Sequence, residues 1–457
     1  MQDDNRAMEG KRVAFLTLGC KVNSYETEGM RELFLKAGAV ETDFDEEADV
    51  YVVNTCSVTN IADRKSRQML HRAKKNNPNA VVVAAGCYAQ AAGDRLLEPD
   101  GVDLIIGNNQ KTKIVELTEK ILESREAEGR CALVEIAKEQ SFEELPIETV
   151  TEHTRAYVKI EDGCNQFCSY CIIPYVRGRV RSRNEKEILA EIARLAFEGY
   201  REVVLTGIHL SSYGLENKRA ESDAEAEAPL LNLLRQIQNV EGIQRIRLGS
   251  LEPRIMTEAF VRELSSLSKI CPHFHLSLQS GCDATLKRMN RKYTTAEYRE
   301  VVACLRRYFD NPAITTDIIV GFPGETEEEF SETLRYATEI AFSQIHIFKY
   351  SRRAGTAADR MDNQLPESVK TERSGKLAQA ECALQTAYRN SFAGKTEQVL
   401  FEEEVTVDGR NYITGHTTRY IKVYLPMEEK QIHSNETAEV FLSEKQICDG
   451  VECRLVC

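Results

Sequence analysis

No run of about 18 apolar residues occurs in this sequence, so a membrane-spanning helix is not expected. The Met1–Lys11 stretch is polar and lacks the apolar core of a secretory signal. Positive charge is in deficit as well: 59 Lys and Arg face 72 Asp and Glu, a net charge of −13. Bulk attraction to nucleic acid is thereby excluded, and any RNA contact must rest on local basic patches. A fourth cysteine is missing beside the Cys-x3-Cys-x2-Cys triplet Cys164, Cys168 and Cys171, in the run Asp162-Gly163-Cys164-Asn165-Gln166-Phe167-Cys168-Ser169-Tyr170-Cys171. A structural zinc site is closed by four protein ligands. Three thiolates on one short loop instead suit three irons of a cubane cluster and leave the fourth iron open to an outside ligand. The alternative is a zinc knuckle completed from a distance, with His153 or His209 as fourth donor.

With 457 residues, 42% of them hydrophobic, the chain is long enough for about three domains. Its 14 cysteines, some tightly spaced and with no signal pattern before them, read as reduced thiols of a cytoplasmic protein. Over residues 1–125 the apolar strands Arg12–Leu18, Val50–Val53, Ala80–Ala85 and Val102–Ile106 alternate with helices Ser24–Ala37, Ser57–Lys75, Gln90–Leu97 and Lys111–Glu123. Such alternation predicts a parallel sheet. A Glu-rich linker, 126–152, follows, with some strand around Ala132–Ile136. Six further strands are predicted at Ala156–Ile160, Glu202–Leu205, Arg245–Leu248, His273–Leu276, Ala313–Ile319 and Gln344–Phe348. Helices such as Glu185–Gly199 and Glu327–Ile340 separate them, which predicts an incomplete parallel barrel over 153–390. Tyr213–Pro229 reads as a charged surface loop. After helix Ser368–Arg389, the patterns Glu397–Val405, Arg419–Leu425 and Thr437–Leu442 predict a small β-barrel over 391–457. The expected class is α/β: an N-terminal parallel α/β domain, a central partial (β/α)6 barrel and a small C-terminal β-barrel.

Cys20, Cys56 and Cys87 are far apart in sequence, yet each follows an apolar strand of the first domain. Carboxyl ends of parallel strands share one rim, where ligand sites gather. Gly19, Asn54-Thr55 and Gly86 beside them permit tight turns. The three thiols are expected on one edge as a metal site; the alternative is three unrelated buried cysteines. The remaining cysteines, Cys131, Cys271, Cys282, Cys304, Cys382, Cys448, Cys453 and Cys457, have no such common placement.

The two cysteine sets and their flanks resemble the radical S-adenosylmethionine methylthiotransferases. The resemblance rests on Thr17-Leu18-Gly19-Cys20-Lys21-Val22-Asn23, Asn54-Thr55-Cys56, Gly86-Cys87 and the central triplet. It extends to a C-terminal barrel similar to the family's TRAM module and so covers nearly the whole chain. Leu18-Gly19-Cys20-Lys21-Val22-Asn23-Ser24-Tyr25-Glu26-Thr27-Glu28 looks like the MtaB branch, which methylthiolates N6-threonylcarbamoyladenosine at position 37 of tRNA. The branch acting on N6-isopentenyladenosine tends to carry Gly-Cys-Gln-Met-Asn. The branch acting on an aspartate of a small-subunit ribosomal protein tends to carry Gly-Cys-x-Lys-Asn. Neither fits here.

The resemblance implies a radical SAM barrel in which Cys164, Cys168 and Cys171 hold one [4Fe-4S] cluster, its open iron taking the amino and carboxylate groups of S-adenosylmethionine. It implies a second [4Fe-4S] cluster on Cys20, Cys56 and Cys87 that supplies sulfur, and a 5′-deoxyadenosyl radical that activates C2 of adenine. Tyr170 is placed to pack on the adenine, and Thr206-Gly207 to meet the methionyl amino group. Ser250 and Glu252 end the third strand, where Glu252 either binds ribose hydroxyls or caps the helix after Pro253. Gln279 ends the fourth. The segment from Asp317 through Gly321 to Pro323 resembles the adenine-contacting segment, with Asp317 in place of its first glycine. All lie at strand carboxyl ends, where barrel active sites form. The implied partners are a tRNA anticodon stem-loop and an electron donor such as flavodoxin or ferredoxin, with no membrane.

Four basic patches are candidate phosphate contacts. They are Arg64, Lys65, Arg67, Arg72, Lys74 and Lys75; Arg177, Arg179, Arg181 and Arg183; Lys287, Arg288, Arg291 and Lys292; and Lys349, Arg352 and Arg353. The C-terminal module is acidic, so an RNA role there needs a local face such as Tyr412, His416, Arg419, Tyr420 and Lys422.

Overall fold

A computed structural model describes residues 8–97, 101–124, 129–145, 147, 154–217, 228–427 and 432–456. The expected linker and the Tyr213–Pro229 loop fall partly outside these residues, and His153 and Cys457 wholly so.

Six strands build one all-parallel N-terminal sheet. Their order is Val40–Thr42, Arg12–Thr17, Val50–Thr55, Val81–Ala85, Leu104–Ile106, Cys131–Ala132. Val50–Thr55 and Val81–Ala85 are buried at every position, as interior parallel strands covered on both faces must be. The two edge strands are three and two residues long, too short to show a sequence period. Helix Lys21–Lys36 begins three residues before its predicted start, with Cys20 at its N-cap. Helix Asn60–Asn76 begins after its predicted start because the Thr59 hydroxyl accepts from the Ala62 amide at 3.1 Å and caps it.

The central strands Arg155–Lys159, Glu202–Thr206, Arg245–Leu248, His273–His275, Ala313–Val320 and Gln344–Lys349 run parallel in chain order, in two three-stranded sheets. Parallel bridges from Ile246 to Ile270 and from Leu251 to Leu276 join the halves. The result is a six-stranded partial barrel, open between its first and sixth strands. Helix Glu327–Ile340 keeps its predicted bounds, fixed by a capping box between Thr326 and Glu329.

The N-terminal unit clamps both sides of that opening. Beyond the sixth strand, Arg353 donates to Asn60 at 2.9 Å, Asp63 at 2.7 Å and Ser57 at 2.7 Å. On the first strand, Lys159 donates to Glu26 at 2.7 Å. The carboxyl rim of the N-terminal sheet therefore faces the seam of the barrel.

The C-terminal strands Thr396–Val407, Arg410–Thr417, Lys422–Pro426, Gly450–Leu455 and Thr437–Ile447 close into a barrel in that order. Arg410–Thr417 escapes a sequence reading because Gly415 interrupts its pattern. A Cβ there would stand 2.3 Å from the Leu400 carbonyl, so the neighbouring strand requires the glycine. This barrel plugs the amino-terminal floor of the central one. Arg245 donates to the carbonyls of Gln398 at 2.8 Å and His416 at 3.0 Å. Tyr420, at φ +66°, lies under the guanidinium groups of Arg155 at 4.9 Å and Arg247 at 4.8 Å, with His416 stacked on it at 4.5 Å.

Candidate active site

The turns after three N-terminal strands bring Cys20, Cys56 and Cys87 to one edge. Gly19, at φ +110°, packs so closely that a Cβ on it would meet the Cys56 Cβ at 2.9 Å and Sγ at 3.0 Å. Cys56 and Cys87 are buried. Cys20 is reached by solvent but walled by protein, and desolvation raises its pKa. Burial likewise pushes the Cys56 thiol up to about 11, and the charges of Cys87 and Cys20 add to the rise. The three thiols are thus close enough to act on one another electrostatically.

The central triplet sits on a loop after the first barrel strand. Gly163, at φ +80°, lies against the Arg179 carbonyl, and a Cβ there would come within 1.9 Å of that oxygen. The Gln166 amide donates to Cys164 Sγ at 3.5 Å, and Arg291 donates to Cys168 Sγ at 3.1 Å. Desolvation pushes Cys164 and Cys171 to about 12, and Cys171 also senses the charge of Cys87. Arg177, which donates both to Cys87 and to Asp162 two residues before Cys164, links the two cysteine sets. Among the described residues, no three His, Cys, Asp or Glu side chains gather as ligands of a single metal ion.

A buried ionic network joins the two sets. Arg177 is fully buried; its Nε donates to Cys87 Sγ at 3.2 Å, one terminal nitrogen to Asn23 at 2.7 Å, and the other to Glu26 at 2.8 Å and Asp162 at 3.1 Å. Lys159 bridges Glu26 at 2.7 Å and Asp162 at 2.8 Å, and Lys111 pairs with Glu26 at 3.2 Å. Burial alone would raise the Glu26 pKa, but Arg177, Lys111 and Lys159 hold it well below the usual carboxylate range. Arg181 adds a further cation at 3.5 Å from Asp162. Cations outnumber carboxylates in this network, and Arg177 sets its guanidinium against the Cys87 sulfur. The donor chemistry on both rims therefore fits thiolate-held clusters.

Residues 158–337 match the radical SAM superfamily, and residues 12–107 match the uncharacterized protein family UPF0004. The threonylcarbamoyladenosine tRNA methylthiotransferase MtaB of Bacillus subtilis is 40% identical over 92% of this chain and 91% of its own. The MtaB protein of Aquifex aeolicus is 40% identical over 88% of this chain and 95% of its own. The tRNA-2-methylthio-N(6)-dimethylallyladenosine synthase of Clostridium novyi is 36% identical over 88% of each chain. The chain belongs to the radical S-adenosylmethionine methylthiotransferase family. The family's radical SAM segment implies S-adenosylmethionine and a [4Fe-4S] cluster. The solved radical S-adenosylmethionine methyltransferase TsrM from Kitasatospora setae, with cobalamin and a [4Fe-4S] cluster bound, shares the fold, with a TM-score of 0.56 and 16% identity over 76% of this chain and 77% of that one.

The residues expected to meet S-adenosylmethionine end the strands of this radical SAM barrel. Glu252 does not cap the turn after Pro253 with its side chain. It lies 3.4 Å from His209 Nε2 and 3.3 Å from Gln166 Nε2, tying the triplet loop to the second and third strands. Thr206 is buried, and Gly207 abuts Glu161, whose Oε2 would be 2.7 Å from a Cβ. Ser250 is exposed, 2.9 Å from the Ser277 hydroxyl. Gln279 takes the left-handed conformation at φ +72°, and its amide donates to the Asp317 carbonyl at 2.8 Å. The Asp317 side chain lies 3.3 Å from His275 Nε2. Gly321 donates to Glu325 at 2.7 Å, and Tyr170 meets Phe322, next to buried Pro323, edge-on at 6.4 Å.

Several groups at this site were not expected from sequence. Glu161 is buried, accepts from the His209 amide at 2.7 Å and leaves Oε1 without a partner; burial holds its pKa well above the usual carboxylate range. Its adjacency to Asp162-Gly163-Cys164 was the available signal. Arg177 and Arg291 were read as phosphate contacts, yet both donate to cysteine sulfurs. Arg181 and Arg183 are likewise buried and paired, Arg183 with Glu191 at 2.6 Å. Arg353 is spent on the N-terminal unit. Arg64, Lys65, Arg72, Lys75, Arg179, Lys287, Lys292 and Arg352 remain exposed, Arg72 paired with Asp45 at 2.5 Å and Arg352 with Asp359 at 2.6 Å. The aromatic face expected to stack RNA bases is occupied as well: Tyr412 is buried, and His416 and Tyr420 face the barrel floor.

Proposed function

We propose that this enzyme adds a methylthio group to C2 of N6-threonylcarbamoyladenosine at position 37 of tRNA, in the cytoplasm. The named activities of the Bacillus subtilis and Aquifex aeolicus relatives support the substrate. The hydrogen bonds of Arg177 to Cys87 and to Asp162, two residues before Cys164, support the two-cluster reading. Cys164, Cys168 and Cys171 hold the cluster that binds S-adenosylmethionine, and Cys20, Cys56 and Cys87 hold the second. The N-terminal α/β unit (1–125) follows as the sulfur-bearing domain, 126–152 as a linker, 153–390 as the radical domain and 391–457 as a TRAM-like module.

When bound, the clusters and S-adenosylmethionine would supply one-electron radical chemistry, the sulfur and the methyl group. The chain's own residues orient and shield that chemistry. Gln166 and Arg291 donate to Cys164 and Cys168, which stabilises negative charge on the sulfurs. Glu252, held by His209 and Gln166, presents its carboxylate to amino or hydroxyl groups of the cofactor. Tyr170 and the Asp317–Pro323 segment would hold its adenine, Thr206 and Gly207 would meet its methionyl amino group, and Ser250 and Gln279 at the third and fourth strand ends would complete the cofactor's contacts. An anticodon stem-loop reaches this rim past Arg179, Lys287 and Lys292, and a flavodoxin- or ferredoxin-type protein supplies electrons.

Mass spectrometry of tRNA nucleosides from a strain lacking the gene tests the substrate. Loss of the 2-methylthio form of N6-threonylcarbamoyladenosine is expected. Loss of the methylthiolated dimethylallyladenosine instead would favour the activity named for the Clostridium novyi relative. Anaerobic reconstitution tests the clusters: about eight irons are expected in the parent and about four in a Cys164/Cys168/Cys171 triple-alanine variant.

A further inference from the structure

The aromatic face around Tyr412 and Tyr420 is covered, but another is open to solvent. Tyr175, on the short helix Ile173–Val176, is 52% exposed. Core packing does not account for it, since Tyr298 and Tyr350, which do pack the barrel, are 0% and 3% exposed. The Tyr175 ring meets that of Phe167 edge-on at 5.7 Å, and the Arg179 guanidinium lies over the Phe167 ring at 4.5 Å. Phe167 takes the left-handed conformation at φ +48°, which is disfavoured for a bulky residue. Asn290 Nδ2 fixes it by donating to its carbonyl at 3.0 Å, and Lys292 Nζ donates to Asn290 Oδ1 at 2.6 Å. Arg179 and Lys292 are exposed, and among the described residues neither has a carboxylate partner.

Contacts to both cysteine rims fix where this row of groups lies. Phe167 stands between Cys164 and Cys168 on the triplet loop. The carbonyl of Val176, next to Tyr175, accepts from Asn108 Nδ2 at 2.8 Å, and Arg177 Nε reaches Cys87 Sγ at 3.2 Å. The row therefore sits on the segment that bridges the two cysteine sets. Its chemistry is that of single-stranded nucleic-acid binding: a base of any identity stacks on an aromatic or guanidinium plane, and cations beside it meet the adjoining phosphates. An acidic protein would satisfy the cations alone. A nucleotide, a flat ring joined to an anion, satisfies both.

We propose that Tyr175, Phe167 and Arg179 form a stacking subsite for one unpaired base of the anticodon loop, a neighbour of the target nucleoside, with Arg179 and Lys292 on the adjoining phosphates. This rests on the proposed function. The subsite takes a base by its flat face and not by its edge, so it holds the loop open at the entrance between the cysteine sets without reading sequence. Tyr175 is thereby a positioning residue: it anchors the strand from which the target nucleoside enters.

The test uses the full-length reconstituted protein and synthetic anticodon stem-loops carrying N6-threonylcarbamoyladenosine, in which each other loop base in turn is replaced by an abasic site. Binding is read by fluorescence anisotropy and turnover by mass spectrometry. One abasic position should weaken wild-type binding about fivefold or more, the loss expected for one base stacked on an aromatic ring. Tyr175→Ala should weaken binding of the intact loop by a similar factor, with an unchanged salt slope, and should cost nothing further on that abasic loop. Tyr175→Trp should restore binding, and Arg179→Gln should lower the salt slope by about one. If Tyr175→Ala loses iron, Tyr175→Leu, which keeps apolar volume without the ring, takes its place in the same comparison. A ring-less variant that binds the intact loop as the wild type does overturns the proposal, as do losses that add on every abasic loop. Normal RNA binding with slowed reduction by flavodoxin overturns it too, and assigns the row to an electron-donating protein. A wild type that binds the loop through Tyr175 but never methylthiolates it would instead overturn the proposed function.

Discussion

Replacing Arg177 by Met isolates the energetic role of the network between the two cysteine rims. The guanidinium is fully buried and bonds to Glu26, Asp162, Asn23 and Cys87. Methionine keeps much of the volume but leaves two buried carboxylates short of one cation. Breaking a buried pair in this way costs about 3–5 kcal/mol. Lys111, Lys159 and Arg181 still face the carboxylates, which places the expected loss near the low end, about 3 kcal/mol. The direction with pH follows from Glu26. Its folded pKa is depressed, so its contribution is complete above its unfolded value and disappears as pH falls through the folded one. Without Arg177 the folded pKa moves back toward its ordinary value, and the acid loss begins at a higher pH. Urea unfolding of the cluster-free protein, followed by hydrogen exchange in helix Lys21–Lys36, reads both effects. A loss below about 1 kcal/mol at neutral pH, or an unchanged acid limb, would refute the assignment of the network as the joint between the units.

Other perturbations separate the two rims and the floor. Gly163→Ala sets a Cβ against the Arg179 carbonyl at a left-handed position, so reconstituted iron should fall from about eight to about four, as for loss of the triplet; full iron would show that the loop shifts freely. Cys164→Ala should abolish reductive cleavage of S-adenosylmethionine, whereas Cys56→Ala should spare uncoupled cleavage and stop methylthio product, both read by chromatography. Iron uptake should rise with pH, because ligation needs thiolates and desolvation holds Cys56 near 11 and Cys164 near 12; uptake independent of pH between about 7 and 9 would contradict those raised values. Tyr420→Ala removes two cation–π contacts and a ring stack at the floor, costing about 2–3 kcal/mol of docking. Proteolysis near Ser391 should accelerate in that variant, and an unchanged rate would show that Arg245 and Arg247 suffice.

The cysteine rims were legible in the sequence because their logic is local. Each of Cys20, Cys56 and Cys87 ends an apolar strand, and parallel strands share a carboxyl edge. The arginines after the triplet were not legible, because their partners are remote. Arg177 meets Glu26 across 151 residues, and nothing in Arg177-Gly178-Arg179-Val180-Arg181-Ser182-Arg183 marks which guanidinium is buried. The same limit applies at Tyr420. An aromatic beside His416 and Arg419 looks like a base-stacking surface, until the starts of the first and third barrel strands supply Arg155 and Arg247 to cover it. Both misreadings bear on how an acidic protein can hold RNA. Buried cations are already neutralised and release no counterions from phosphate, so within the four basic patches it is the exposed cations, Arg64, Lys65, Arg72, Lys75, Arg179, Lys287, Lys292 and Arg352, that can contribute to a salt-dependent affinity. Arg179, Lys287 and Lys292 lie near the triplet rim, whereas the C-terminal barrel spends its aromatics on the opposite end. On the proposed function, Arg179, Lys287 and Lys292 are the exposed cations that would meet an anticodon stem-loop on the face where the two cysteine sets meet.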